Sequence, residues 1–279
     1  MEHLIDNLID LAFAEDIADG DHTTLCSIPA DATGKVKLII KEVGILAGVQ
    51  IGKRVFHKVN PELKIDLLLN DGAKVKPGDV VFTVEGKVQS ILNAERIVLN
   101  IMQRMSGIAT TTHKYVTVLK GTKAKVLDTR KTTPGMRVLE KQAVKIGGGE
   151  NHRMGLFDMI LLKDNHVDFA GGIEKAILGA NSYLKDNNKA LKIEIEVRNM
   201  EELKEVLRVG GVDRVMLDNF TPEKTKKAVE FVNGRVELES SGGITFLTIR
   251  DYAETGVDFI SVGALTHSVK GLDMSLIAF

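Results

Sequence analysis

Apolar residues at 4, 5, 8, 11 and 12 form one stripe at helical spacing, so a helix is predicted over residues 3–14. The polar run from Asp16 to Thr24 reads as a loop. Strands are then predicted over 35–40 and 80–84, with a helix over 48–59 between them and turns at Asp71-Gly72 and Pro77-Gly78-Asp79. A further helix is predicted over 89–105. Its apolar positions 91, 92, 94, 97, 98, 101, 102 and 105 exceed what a one-sided helix needs, and Glu95 and Arg96 lie among them. That excess predicts burial on two sides, one of them against a partner chain.

From Lys123 the pattern becomes strand, loop, helix, repeated. Short apolar strands end near Asp128, Lys163, Glu196, Asp218, Ser240 and Gly263, and the last four ends stand about 22 residues apart, the length of a compact βα unit. Helices are predicted over 134–146, 200–209, 222–232 and 246–254, with Thr221-Pro222 as N-cap and first helical residue. Repeats of this size imply a parallel sheet closing toward a barrel, whose active site lies at the C-terminal strand ends.

Charge changes the picture at those ends. Arg130, Lys131, Arg137, Lys141, Lys145 and Arg153 face only two acids in the same stretch, Glu140 and Glu150. Arg137, Lys141 and Lys145 fit a solvated helix face equally well. The others flank strands and the Gly147–Gly149 turn, where gathered cations repel unless an anion fills the gap. Glu194 and Glu196 alternate in IEIEV and so share a strand face, where acids are costly unless paired or metal-bound. Glu196 and Asp218 end neighbouring strands and are candidate ligands for Mg²⁺ carried in with a phosphate, the alternative being a pairing of each acid with a lysine. Ser240-Ser241-Gly242-Gly243 and Ser261-Val262-Gly263-Ala264 end the late strands, the usual phosphate position in such barrels.

The 279 residues carry 37 Lys plus Arg against 38 acids, a net charge of −1, so no global basic field favours nucleic acid. The composition, 44% hydrophobic and 27% charged, is that of a globular protein. A single cysteine, Cys26, excludes an internal disulfide or a structural zinc cluster. Glu2, Asp6 and Asp10 are unlike a secretory leader, and the reading is cytoplasmic. The run 71–86, DGAKVKPGDVVFTVEG, resembles half of a lipoyl or biotinyl carrier hairpin without the lysine tip, so it reads as structural.

DTRKTTPG, GGGENHRMGL, LLKDNH, MLDN, ESSGG and VGALTHS, with AERIVLN and SGIAT upstream, resemble the quinolinate phosphoribosyltransferases over nearly the whole chain. The resemblance implies an α/β fold of type II phosphoribosyltransferase kind: an N-terminal sandwich-like α/β domain (1–107, rejoined by 267–279) and an incomplete, open TIM-like barrel (108–266). It implies a homodimer or larger assembly in which Arg96 reaches the neighbouring active site. It places Arg130, His152, Arg153 and Lys163 on quinolinate, Lys131 and Lys163 near 5-phosphoribosyl-1-pyrophosphate, and Thr129 among the substrate-binding residues. Glu196 and Asp218 fall at the ribose and Mg²⁺, and Ser241, Gly242, Gly243, Gly263 and Ala264 at the 5-phosphate. Lys131, Lys163, Glu196 and Asp218 are the implied catalytic set. Lys145 and Gln142 depart from the Arg and Tyr common in the family. The alternatives are a transferase for nicotinate, the molybdenum-associated paralogue, or a phosphosugar-binding regulatory module; the two barrel carboxylates disfavour the last.

Overall fold

The first helix, α1 (Glu2–Asp16), forms where its stripe predicts and buries Ile5 and Ile9. The computed structural model describes residues 1–279. A second helix, α2 (His22–Ser27), begins inside the expected loop because Asp21 Oδ1 accepts the Thr24 N–H at 3.0 Å, satisfying a helix-end donor. There follow β1 (Thr33–Ile40), β2 (Gly44–Ile45), α3 (Val49–Val59), β3 (Lys64–Leu67), β4 (Lys74–Val75), β5 (Val80–Lys87) and α4 (Val88–Val118). The carrier-like run supplies β4 and β5 and is a structural β-element. On α3, Arg54 pairs with Glu2 and Asp6, and Lys58 with Asp10, so the acids of α1 are bound to α3.

The chain continues through β6 (Lys125–Leu127), α5 (Arg137–Ile146), β7 (Ile160–Leu162), α6 (Asp164–Ala170), α7 (Ile173–Asp186), β8 (Ile193–Val197) and α8 (Met200–Val209). After these come β9 (Arg214–Asp218), α9 (Pro222–Val232), β10 (Glu237–Ser241), α10 (Ile249–Glu254), β11 (Phe259–Ser261), α11 (Ala264–His267) and β12 (Met274–Ala278). Two compact units result: 1–113 with 132–148 and 265–279, and 114–131 with 149–264. Residues 132–148, inside the range expected for the barrel, thus cluster with the first unit.

In the first unit an antiparallel sheet runs β12-β1-β5-β3, with β12 paired to β1 from Val36–Ala278 to Ile40–Met274. Helix α4 continues well past residue 105. Gly107 within it costs about 1 kcal/mol of helix propensity, but a Cβ there would lie 2.2 Å from the Lys270 carbonyl, so only glycine admits the returning chain. Ile91, Ala94, Ile97, Val98, Ile101, Met102 and Met105 are all buried within the chain. The apolar excess is therefore already covered, and it does not call for a partner.

In the second unit six parallel strands run β6-β11-β10-β9-β8-β7. Strands β6 and β7 are its two edges, which makes the barrel open; Glu150 bridges to Leu127 at the β6 edge. The register Glu194–Arg214, Glu196–Met216, Glu239–Met216 and Ser241–Asp218 puts these residues on one face. The other face carries Ile195, Val215, Leu217, Leu238 and Ile260, all buried. One face of this sheet is thus apolar and the other holds a buried charged layer.

Candidate active site at the strand ends of the second unit

His152 and Arg153 follow the isolated Glu150 bridge; the other predicted site residues of the second unit lie at or just past the C-terminal ends of its strands. After β6, Thr129 Oγ1 accepts the Lys131 N–H at 3.0 Å, a tight turn that presents Arg130 and Lys131 at the surface. Arg153 is half-buried, and one of its guanidinium nitrogens donates to the Met159 carbonyl at 3.2 Å. Burial, and then the like charge of Arg130, lowers the Arg153 pKa below its usual value. Two guanidiniums are therefore close enough to repel, one of them partly desolvated. An anion between them relieves both costs.

Lys163 follows β7, and its Nζ is 2.8 Å from Glu196 Oε2 near the end of β8. The lysine pairing weighed for Glu196 is thus present. Asp218, the last residue of β9, accepts from Asn219 Nδ2 at 2.7 Å. Asn219 has φ +55° and donates its N–H to the Ser241 carbonyl at 2.8 Å, tying β9 to the end of β10. Gly242 and Gly243 follow with φ +99° and +61°. A Cβ on Gly243 would meet nothing within 4 Å, so this backbone is open to a ligand. Helix α10 starts at Ile249, not 246, because Thr245 and Thr248 bond each other in a non-helical turn; no long helix N-terminus stands directly behind these glycines. Gly263 and Ala264 lie at the end of β11, half-buried. Arg96 belongs to the first unit and is exposed on α4; its charge acts on Glu95.

His152 sits differently from the other cations. It is 9% exposed, and its Nε2 lies 3.0 Å from Glu194 Oε2 and 3.5 Å from Glu239 Oε2. Its main-chain N–H donates to Asp128 Oδ1 at 2.9 Å, and its Nδ1 accepts the Arg153 N–H at 2.7 Å. Arg214 donates to Glu239 at 3.1 Å and lies over the Phe259 ring at 3.9 Å. Sequence reasoning missed Glu239, Arg214 and Asp128 as site residues. The alternation Glu237–Glu239 in β10, matching Glu194–Glu196 in β8, was the available signal.

Burial pushes the Glu194 and Glu239 carboxyls up to about 7, and the neighbouring Glu194 charge raises Glu239 further. A carboxyl raised from its ordinary 4.5 stabilises the fold fully below pH 4.5, and that contribution is lost as pH rises through 7. Thermal unfolding should therefore shift to lower temperature between pH 5 and pH 8. In Glu194→Gln, which cannot ionise, the shift should be smaller; an equal shift in both proteins rejects the assignment.

Two groups offer metal donors. His152, Glu194 and Glu239 have ligand atoms within 4.8 Å of one another but are buried. Glu196 and Asp218 are the carboxylates at the strand ends, and their hard oxygens suit Mg²⁺ better than any softer ion.

Fold and site together define an open α/β-barrel enzyme with cations and an open glycine turn at its strand ends. Residues 21–106 match the N-terminal domain of quinolinate phosphoribosyl transferase, and residues 108–277 its C-terminal domain. The chain therefore belongs to the quinolinate phosphoribosyltransferase family. A quinolinate phosphoribosyltransferase [decarboxylating] of Nicotiana tabacum is 45% identical over 96% of this chain and 81% of its own length. A probable nicotinate-nucleotide pyrophosphorylase of Bacillus subtilis is 39% identical over 99% and 94%. The solved nicotinate-nucleotide pyrophosphorylase of Francisella tularensis superposes with a TM-score of 0.93 at 42% identity, covering 100% of this chain and 97% of that one.

Proposed function

We propose that the chain transfers the phosphoribosyl group of 5-phosphoribosyl-1-pyrophosphate to quinolinate, with loss of CO₂, in NAD biosynthesis. The observation that carries this reading is the match of residues 21–106 and 108–277 to the two quinolinate phosphoribosyl transferase domains, with Arg130 and Arg153 near enough to act on each other. A pyridine dicarboxylate offers one carboxylate to each, and charge-assisted bonds of this kind are strong. Lys131, exposed beside Arg130, and Lys163 carry the charge for the pyrophosphate. Gly243, open where a side chain would stand, forms the 5-phosphate cradle with Ser241, Gly242, Gly263 and Ala264.

In this mechanism the pyridine nitrogen forms a bond to ribose C1 as the bond from C1 to pyrophosphate breaks. Glu196 and Asp218 favour the positive charge that develops at C1. Bound Mg²⁺, held by Glu196 and Asp218, would supply neutralising charge for the pyrophosphate. The positive charge on the quaternised nitrogen then stabilises the electron pair left on C2 when the carboxylate departs as CO₂, and that carbanion takes a proton from solvent. The products are nicotinate mononucleotide, pyrophosphate and CO₂. Orientation and charge placement are the protein's main contribution.

The active form is a homodimer or larger, with Arg96 supplied to the neighbouring chain's site; the exposure of Arg96 on α4 supports that reach. No helix is long and apolar enough to cross a membrane.

Purified protein given both substrates should release CO₂ and nicotinate mononucleotide in equal amounts, and only with Mg²⁺. Equal activity on nicotinate without CO₂ release sinks the substrate assignment. Full activity in excess chelator sinks the metal.

A further inference from the structure

Lys163 is the N-cap of α6, and His166 stands at the third position of that helix. The Lys163 main-chain N–H donates to His166 Nδ1 at 3.0 Å, and the Lys163 carbonyl accepts the Val167 N–H at 3.0 Å. Both main-chain polar groups of the lysine are therefore held by the first turn of α6. A side chain that reaches back in this way is ordinarily Glu or Gln. An imidazole accepts only through an unprotonated nitrogen, so the neutral ring of His166 carries its proton on Nε2.

The turn is itself anchored. Val167 is buried, and Asp168 takes two guanidinium nitrogens of Arg198, both at 3.2 Å. Arg198 is fixed in turn on Glu202 of α8, through its main-chain N–H at 2.7 Å and its Nε at 2.9 Å. Arg198 directly follows β8, the strand that carries Glu196, so α6 is tied to the strand end that holds the partner of Lys163. Exposed ion pairs of this kind add little to global stability, but they fix where the turn stands. The Lys163 side chain is half-exposed on a flexible four-carbon stem, and its Nζ is 2.8 Å from Glu196 Oε2. Its reach is set by the main chain from which it leaves.

We infer that His166 is a positioning residue: its Nδ1 holds the Lys163 main chain, and so the point and direction from which the ammonium meets Glu196 and the substrate. Histidine suits the place because it accepts the N–H without bringing the negative charge of a glutamate to a site proposed for anions. The alternative is a cap that serves helix stability and nothing else.

The binding part of the test rests on the proposed reaction, and two other parts do not. In protein labelled with ¹⁵N-histidine, without substrates at pH 8, the His166 signal is identified by its loss in His166→Gln. It should show a ring protonated at Nε2 alone; a proton on Nδ1 overturns the inference. In hydrogen exchange, the Lys163 amide should exchange about fivefold faster in His166→Ala than in the wild type, the scale of one lost hydrogen bond. His166→Gln, whose side-chain oxygen can reach the same N–H, should restore the slow exchange. Equal exchange in the wild type and the alanine variant rejects the tether. The ring is exposed, so neither substitution opens the core. In calorimetry, His166→Ala should weaken quinolinate binding by about fivefold, and His166→Gln should bind within about twofold of the wild type. In a Lys163→Ala background the same His166→Ala should change binding by less than about twofold, because its effect passes through the lysine. An equal loss in both backgrounds, or a glutamine variant as weak as alanine, would mean that the ring acts on the substrate itself and overturns the inference. Unchanged binding in His166→Ala leaves only the stability cap and overturns it too. A wild type that binds no quinolinate defeats the proposed reaction, and the histidine signal and the Lys163 exchange then decide whether His166 holds Lys163.

Discussion

Chains carrying Arg96→Ala and chains carrying Lys163→Ala, each nearly inactive alone, should regain about a quarter of wild-type activity when mixed and allowed to exchange subunits. If Arg96 serves the neighbouring site, a mixed dimer has one site with both lesions and one with neither. Half the dimers are mixed and half their sites are intact, which gives about a quarter for a two-fold assembly. Each single lesion has a physical basis. Lys163→Ala removes the cation 2.8 Å from Glu196, a carboxylate only 8% exposed, and leaves that charge without its ammonium. Arg96→Ala removes an exposed guanidinium on α4. If Arg96 serves only Glu95 of its own chain, every site in a mixed dimer stays damaged and activity stays low. No recovery, with exchange verified by mass, rejects the trans role.

Gly242→Ala should lower the unfolding temperature by roughly 5–10 °C, a change on the order of a few kcal/mol for a chain of this size, and raise the KM for 5-phosphoribosyl-1-pyrophosphate at least about a hundredfold. The new Cβ would lie 2.2 Å from Asn219 Oδ1 and 2.9 Å from its main-chain nitrogen. That nitrogen cannot withdraw, because it is bonded to the Ser241 carbonyl at 2.8 Å. The φ of +99° adds strain for any residue with a side chain. Gly243→Ala is the control. Its φ of +61° lies in the left-handed well, costing about 1–2 kcal/mol, and its Cβ meets nothing within 4 Å. Equal damage from both substitutions would mean that backbone strain, not the contact between the ends of β9 and β10, sets the effect.

The barrel was legible in the sequence because its helices have clear stripes and caps. Helices α8 and α9 begin and end where Asn199 and Thr221 cap them and where Gly210 and Asn233 stop them. The strand ends, and the basic and glycine residues on them, followed from the same spacing. Other features depend on partners distant in sequence. Strand β12 is five residues whose pairing with β1 no local pattern encodes. No helix is predicted between 163 and 196, where α6 and α7 form. The charged layer was hidden because Glu239 and Arg214, fully and nearly fully buried, alternate with apolar residues as solvent-facing positions would. Only the register between β8, β9 and β10 turns that alternation inward. On α4 the pattern of apolar residues was read correctly, but their burial inside the chain was not, and the helix runs past the predicted end at 105 to Val118.

The pairing of β1 with β12 has a consequence for synthesis. Five backbone pairs join residues 36–40 to residues 274–278. While the ribosome is still adding those last residues, β1 has one neighbour, β5, and an unpaired edge rich in Val, Leu and Ile. Every residue of the second unit, 114–131 and 149–264, has by then been made, so that unit can complete first although it starts later in the chain. A nascent chain stalled before residue 274 would carry an exposed β edge, the kind of template on which chains aggregate.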